Sequence, residues 1–174
     1  MSQEKFIEKF RPNVGVALFN KSGQVWFGRR VDPARPVDVQ SLDWYDGSWQ
    51  MPQGGIDAGE DIAAAAAREL KEETGVSSVQ LLLVTPGWVA YNFPPGYKRK
   101  NWRGQRQKWA AMLFLGNDDE IDLAADDHQE FDAWRWGELE EAPEIIVDFK
   151  NDVYKELVTS LRPLRDFIRS LATD

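Results

Sequence analysis

Between Pro12 and Asn20 the apolar residues Val14, Val16 and Leu18 alternate with smaller ones. After the turn-forming Asn20-Lys21-Ser22-Gly23 a second short apolar run, Val25-Trp26-Phe27, leads to Arg29-Arg30. Alternation on both sides of such a turn predicts a β-hairpin. The stretch from Val31 to Ser48 holds Pro33, Pro36 and several aspartates without periodicity and reads as a long loop. From Asp57 to Thr74 five consecutive alanines and further strong helix formers precede Gly75, which predicts a helix closed by a left-handed glycine. Downstream, Val79–Val84, Trp88–Phe93, Lys108–Leu115 and Phe131–Trp136 read as strands, separated by Pro86-Gly87, by a loop from Pro94 to Gly104 and by an acidic segment from Asn117 to Asp127. Apolar residues at intervals of three or four (Phe149, Val153, Leu157, Leu161, Leu164, Ile168, Leu171) predict a C-terminal helix over about 148–171, kinked or restarted at Pro163. Strands on both sides of one helix, closed by a second helix, predict an α/β domain with a mixed sheet.

The chain has 174 residues, 43% of them hydrophobic, which suits one domain spanning 1–174. The start, Met1 to Lys5, lacks the basic and apolar regions of a signal peptide, and no apolar run approaches a membrane span, so a cytoplasmic protein away from membranes is expected. Without cysteine there is no disulfide, thiolate metal site or cysteine nucleophile. With a single histidine, His128, read as a polar loop residue, carboxylates are the abundant acids, bases and ligands. The net charge of −8 opposes bulk attraction to nucleic acid, and no DNA partner is expected. A polyanion would have to be gripped locally. Lys98, Arg99, Lys100, Arg103, Arg106 and Lys108 form such a stretch, without an acid and with Trp102 among them; Trp102 and Trp44, both in loops, are the tryptophans suited to stacking.

On the predicted helix Glu69, Glu72 and Glu73 project within an arc of roughly 100°. Each like-charge pair at this spacing costs about 0.2–0.5 kcal/mol, and the cluster lies toward the helix C-terminus, where the macrodipole also disfavours anions. Arg68 is placed to pair with Glu72 and neutralises part of the charge, while Ile62, Ala66 and Leu70 supply the strip that anchors the helix. A further cation is expected against this face.

The segment Gly54–Val76 reads Gly-x5-Glu-x7-Arg-Glu-Leu-x-Glu-Glu-x-Gly-Val, and at all nine defined positions it resembles the signature of the Nudix hydrolases. The resemblance implies an α/β/α sandwich with a mixed β-sheet between helices. It further implies that Glu69, Glu72, Glu73 and the carbonyl of Gly54 bind Mg²⁺ or Mn²⁺, with more than one ion engaged, and that Arg68 and Glu60 orient the carboxylates, with Gly55 and Gly75 completing the motif. Hard oxygen donors suit those ions, and such ions neutralise a polyphosphate while lowering the pKa of the attacking water. The general base is either Glu69 or a carboxylate outside the motif.

Beyond that motif, Arg11–Gly15, Trp49–Gly55, Gln105–Trp109, Glu130–Trp136 and Val147–Lys150 are similar to the bacterial RNA pyrophosphohydrolases and diadenosine polyphosphate hydrolases of the same family. By that similarity Glu130 is a further metal ligand or the base. Arg11, Arg30, Gln53 and Lys150 contact phosphates, and Tyr91, Val147 and Phe149 line a base pocket, although Phe149 equally fits the helical stripe. The implied substrates are 5′-triphosphorylated RNA, dinucleoside polyphosphates such as diadenosine tetraphosphate, or both. A catalytically silent nucleotide-binding module is the alternative, and three retained, mutually repelling carboxylates speak against it. The eighteen residues between Arg30 and Trp49 exceed what compact members of this group carry.

Overall fold

The computed structural model describes residues 9–32, 48–96 and 101–172. Its strands are β1 (Phe10–Phe19), β2 (Val25–Arg30), β3 (Trp49–Gln50), β4 (Gln53–Gly55), β5 (Val79–Val84), β6 (Val89–Asn92), β7 (Gly104–Phe114) and β8 (Phe131–Gly137). The helices are α1 (Ile62–Thr74), α2 (Ala142–Ile145) and α3 (Asn151–Leu171). The long loop expected before Trp49 falls mostly at 33–47, outside the described residues.

The sheet runs β3-β2-β1-β7-β5, with β4 beside β1, β6 beside β7 and β8 beside β2. It is mixed. β1 and β7 pair in parallel over their length, whereas β1 meets β2 and β4 antiparallel, at Phe19↔Val25 and at Asn13↔Gly55 to Gly15↔Gln53. The parallel register sets Arg11 opposite Gln105 and Asn13 opposite Gln107. Since side chains alternate across a strand, these four share one face, and Pro12, Val14, Arg106 and Lys108 share the other.

Each face carries its own core. Val14, Val16, Leu18, Ala110 and Met112 pack against Ala65, Ala66 and Leu70 of α1. On the opposite face Ala17, Phe19, Trp109 and Ala111 pack against Tyr154, Leu157 and Leu161 of α3. The result is the expected α/β/α sandwich.

α1 starts later than its composition suggests. Asp61 caps it by accepting from the amides of Ala63 and Ala64 at 2.9 and 3.1 Å, and Gly59, at φ 81°, makes the preceding turn. Residues 57–60 are therefore a connection from β4, not a first helical turn. At the other end Gly75 adopts φ 75° and its amide donates to the Lys71 carbonyl at 2.8 Å, the left-handed cap that its position predicts.

Three further expectations change. β7 begins at Gly104 rather than Lys108, because its first residues pair with both β1 and β6. α3 continues through Pro163 without restarting. Leu161 and Ile168, buried on either side of the proline, and the Arg165 side chain anchor that stretch against the loss of one backbone hydrogen bond. Phe149 and Leu171 leave the buried stripe: Phe149 lies in a 3₁₀ turn at Asp148–Lys150, out of phase with α3, and Leu171 ends the helix in solvent.

Candidate active site

β4 and α1 bring the acidic cluster to the end of β1. A cleft of about 340 Å³ is lined by Arg11, Asn13, Arg30, Gln53, Gly54, Gly55, Glu69, Glu72, Glu73, Gln105, Asp126, His128 and Glu130. All five residues expected to ligate metal line it.

Arg68 organises the cluster from one side. Its Nε and Nη2 donate to the two carboxylate oxygens of Glu60, both at 2.8 Å, its Nη1 to Glu69 at 2.7 Å, and Nη2 also to the carbonyl of Gly55 at 2.9 Å. The pair with Glu72 expected from helical spacing is present but longer, 3.4 Å. A fork on both oxygens fixes the guanidinium plane, so Glu60 orients Arg68 and Arg68 orients Glu69. These bonds hold the Glu60 carboxyl down at about 2, and they raise the already high pKa of Arg68 further.

The other carboxylates lack such a match. Burial pushes the Glu69 carboxyl above its usual range despite Arg68. Burial pushes Glu73 well above it, with repulsion from Glu130 and Glu69 adding to the effect, although the Gln53 amide donates to Glu73 at 3.0 Å. Glu130 is held by Arg30 at 2.8 Å. Positive charge is in deficit where Glu69, Glu72, Glu73 and Glu130 face the cleft.

The donor set fits a hard divalent cation: carboxylate oxygens on one helix face, with the backbone of Gly54 against them. The absence of a side chain at Gly54 lets the Glu69 carboxylate lie where a Cβ at that position would stand. Among the described residues no three carboxylates already close on one point. Glu69 is turned onto Arg68, Glu73 onto the Gln53 amide and Glu130 onto Arg30. Assembly of the full ligand set therefore requires Glu73 and Glu130 to turn toward the Glu69 that Arg68 holds.

A second hollow of about 250 Å³ adjoins the cleft, lined by Arg30, Gln50, Gln53, Tyr91, Phe93, Gln105, Val147, Phe149 and Lys150. It shares Arg30, Gln53 and Gln105 with the cleft. Six of the seven expected substrate contacts line this hollow, and Arg11 lines the cleft. The ring of Phe149 lies 5.6 Å from that of Tyr91, so it faces the hollow rather than the core. Lys150 is not a surface charge: it is buried, its Nζ donates to Gln50 at 3.3 Å and sits 5.5 Å above the Tyr91 ring. Tyr91 donates to Gln105, and Gln107 donates to Asn13 at 2.7 Å and to Gln53 at 2.9 Å, so side chains where cleft and hollow adjoin are tied to one another.

Sequence reasoning missed Asn13, Gln105, Asp126 and His128. The strand phase shared with Arg11 carries the signal for Asn13 and Gln105. His128 reaches the cleft through a loop in which its amide donates to Asp126 at 2.9 Å, a placement that only the tertiary structure gives. Of the basic stretch, Lys98, Arg99 and Lys100 lie outside the described residues, and the described part is not gathered at the cleft: Arg103 donates to Asn92 at 2.8 Å, and Arg106 and Lys108 project from the opposite face of the sheet.

A sandwich of this topology, with an acidic helix entered through a glycine pair, defines the Nudix family, and a model of the NUDIX domain matches residues 9–157. The chain belongs to that family of hydrolases. An RNA pyrophosphohydrolase of Caulobacter vibrioides (strain NA1000 / CB15N) is 52% identical over 157 residues, 87% of this chain and 86% of its own. Nudix hydrolase 26, chloroplastic, of Arabidopsis thaliana is 41% identical over 168 residues, 91% of this chain and 72% of its own. Among solved structures, a C. elegans Ap4A hydrolase in a binary complex superposes with a TM-score of 0.57 at 20% identity, covering 88% of this chain and 98% of that one, a likeness of fold.

Proposed function

We propose that this chain is a divalent-metal-dependent pyrophosphohydrolase acting on 5′-triphosphorylated RNA, releasing pyrophosphate and leaving a 5′-monophosphate. The observation that carries this reading is the continuity of an acidic cleft with an aromatic hollow through Arg30, Gln53 and Gln105. A polyphosphate fits the first and a nucleobase the second. The name of the Caulobacter vibrioides relative supports the choice of RNA. Dinucleoside polyphosphates are the second reading, since a base at the end of a phosphate chain asks the same of both compartments.

Glu69, Glu72 and Glu73, with Gly54 and Glu130, would hold Mg²⁺ or Mn²⁺, more than one ion being engaged. When bound, such ions neutralise phosphate charge and acidify a water for in-line attack. The residues of the chain do the remainder. Arg11 and Arg30 hold phosphate oxygens, and Arg30 exchanges Glu130 for substrate. Glu60 and Arg68 keep Glu69 in place, and a carboxylate of the cleft, Glu69 or Glu130, takes the proton of the attacking water. Tyr91, Phe149 and Val147 enclose the base, Gln53 reaches phosphate from the boundary of the two compartments, and Lys150, which lines the hollow and not the cleft, meets polar atoms beside the base instead of the phosphates expected of it. We further propose one domain over 1–174 that works as a monomer in the cytoplasm; no helix of the described residues is long and apolar enough to cross a membrane.

The test is a side-by-side assay with Mg²⁺, 5′-triphosphorylated RNA and diadenosine tetraphosphate at equal concentration. A higher kcat/KM on RNA is expected. A clear preference for the dinucleotide would replace the first reading by the second, and hydrolysis of neither would leave the silent module.

A further inference from the structure

Seven of the described arginines hold a carboxylate in an ion pair. Arg11 and Arg106 hold none. Arg11 lines the cleft, where the substrate supplies the anion. Arg106 lies outside it, with its guanidinium carbon 4.6 Å above the ring of Trp88 and its buried Nε without a hydrogen-bond acceptor. Lys108 Nζ lies 5.7 Å from the same ring and donates only to the carbonyls of Thr85 and Pro86, so its charge too is unmatched by an acid. Trp88 itself is 42% exposed. A partly exposed indole backed by two cations, on a protein of net charge −8, is a surface suited to a polyanion that carries rings.

Its position says which part of the polyanion. Tyr91 of β6 lines the base hollow, whereas Ala90, the neighbour of Arg106 in the ladder, points to the other side of the sheet. The base hollow and the Trp88 surface are thus the two sides of one short segment, residues 88–92. A chain leaving the hollow has a single β-strand to cross.

We propose that Trp88, supported by Arg106 and Lys108, is a stacking platform for a nucleobase of single-stranded RNA downstream of the 5′ end held in the cleft. This rests on the RNA reading given above and adds a second contact point to it. Trp88 receives the base face, Arg106 completes the stack from behind and meets the phosphate that follows, and a small dinucleotide never reaches the site.

The test uses the full chain with Mg²⁺ and 5′-triphosphorylated RNAs of two and of twelve nucleotides. Trp88→Ala is expected to raise KM for the longer RNA about tenfold, the loss of one base stack. Its kcat, and both constants on the dinucleotide RNA, stay unchanged. Trp88→Phe restores most of the affinity, and Arg106→Gln flattens the dependence of log KM on log salt for the longer RNA by about 0.7. Should Trp88→Ala not fold, Trp88→Gln carries the same expectation. Equal change on both lengths, or none on the longer, overturns the platform while leaving the RNA reading intact. Wild-type protein that cleaves neither RNA overturns both.

Discussion

Two arginines of this protein are surrounded by carboxylates, with opposite electrostatic results. Arg165 of α3 donates to both oxygens of Glu140, at 2.7 and 2.8 Å, and to Asp166 at 2.6 Å. That fork holds the Glu140 carboxyl down at about 2. Arg68 forms an equally tight fork with Glu60, yet Glu69 beside it and Glu73 one turn on are pushed up by burial. At the C-terminal helix the charges are matched and the cluster is a clasp. At the cleft the carboxylates outnumber their partners, and that excess is where we propose that a cation binds.

The comparison is sharpest at Glu73. Glu73→Gln keeps an acceptor for the Gln53 amide but removes the charge, so kcat should fall by about 10²–10³-fold or more. The metal-free protein should melt slightly higher, because a buried uncompensated charge is gone. Mg²⁺ should then no longer raise its melting temperature. A steady-state assay and a thermal melt with and without Mg²⁺ measure all three, and unchanged turnover would discard the metal role.

Arg165→Leu should do the reverse. The arginine side chain is 8% exposed but Glu140 is 42% exposed, so solvent screens part of the pair and the loss should be about 1–2 kcal/mol of folding stability, with kcat per folded molecule preserved. Urea unfolding and activity at low temperature separate the two quantities. A smaller effect is expected at the base hollow. Phe149→Ala should raise KM severalfold for RNA and leave the melting temperature within a degree or two, since the ring is 38% exposed and outside both cores.

The gentlest probe is pH. Glu60 and Glu140 have folded pKa values near 2, below the ordinary 4.5, so the stability they contribute is present above about 4.5 and lost as pH falls toward 2. Glu69 and Glu73 are shifted the other way. In metal-free protein they take up protons more readily folded than unfolded, and stability therefore rises as pH falls from neutrality toward 4.5. A melting temperature that climbs slightly on mild acidification and then drops is the expected profile, and Glu73→Gln should flatten its climbing part.

Much of this was legible in local sequence. The hairpin, α1 with its glycine cap, the shared face of Glu69, Glu72 and Glu73 and the pair of Arg68 with Glu72 follow from spacing within a few turns of chain, whereas the pairing of Glu60 with Arg68 comes with the resemblance to the Nudix signature. Three features resisted because their causes lie far apart in sequence. Arg30 and Glu130 meet because β2 pairs with β8. Arg106 turns away from the cleft because β7 starts five residues before its apolar run at Trp109, and its pairing with β1 in that stretch fixes the phase of Arg106 and Lys108. Arg165 sits inside an apolar stripe that gives no hint of the glutamate waiting at 140. The first residues of α1 failed for a local reason: alanine-rich composition signals a helix, but a left-handed glycine and an aspartate cap decide where it begins.

The most direct measurement is pyrophosphate release from 5′-triphosphorylated RNA as Mg²⁺ is titrated into metal-free protein, wild type beside Glu73→Gln. Release that is absent under chelation, saturates with Mg²⁺ and is lost in the variant is the expected result. Release that proceeds without a divalent ion, or equally well in Glu73→Gln, would contradict the assignment of the charge deficit to a catalytic cation.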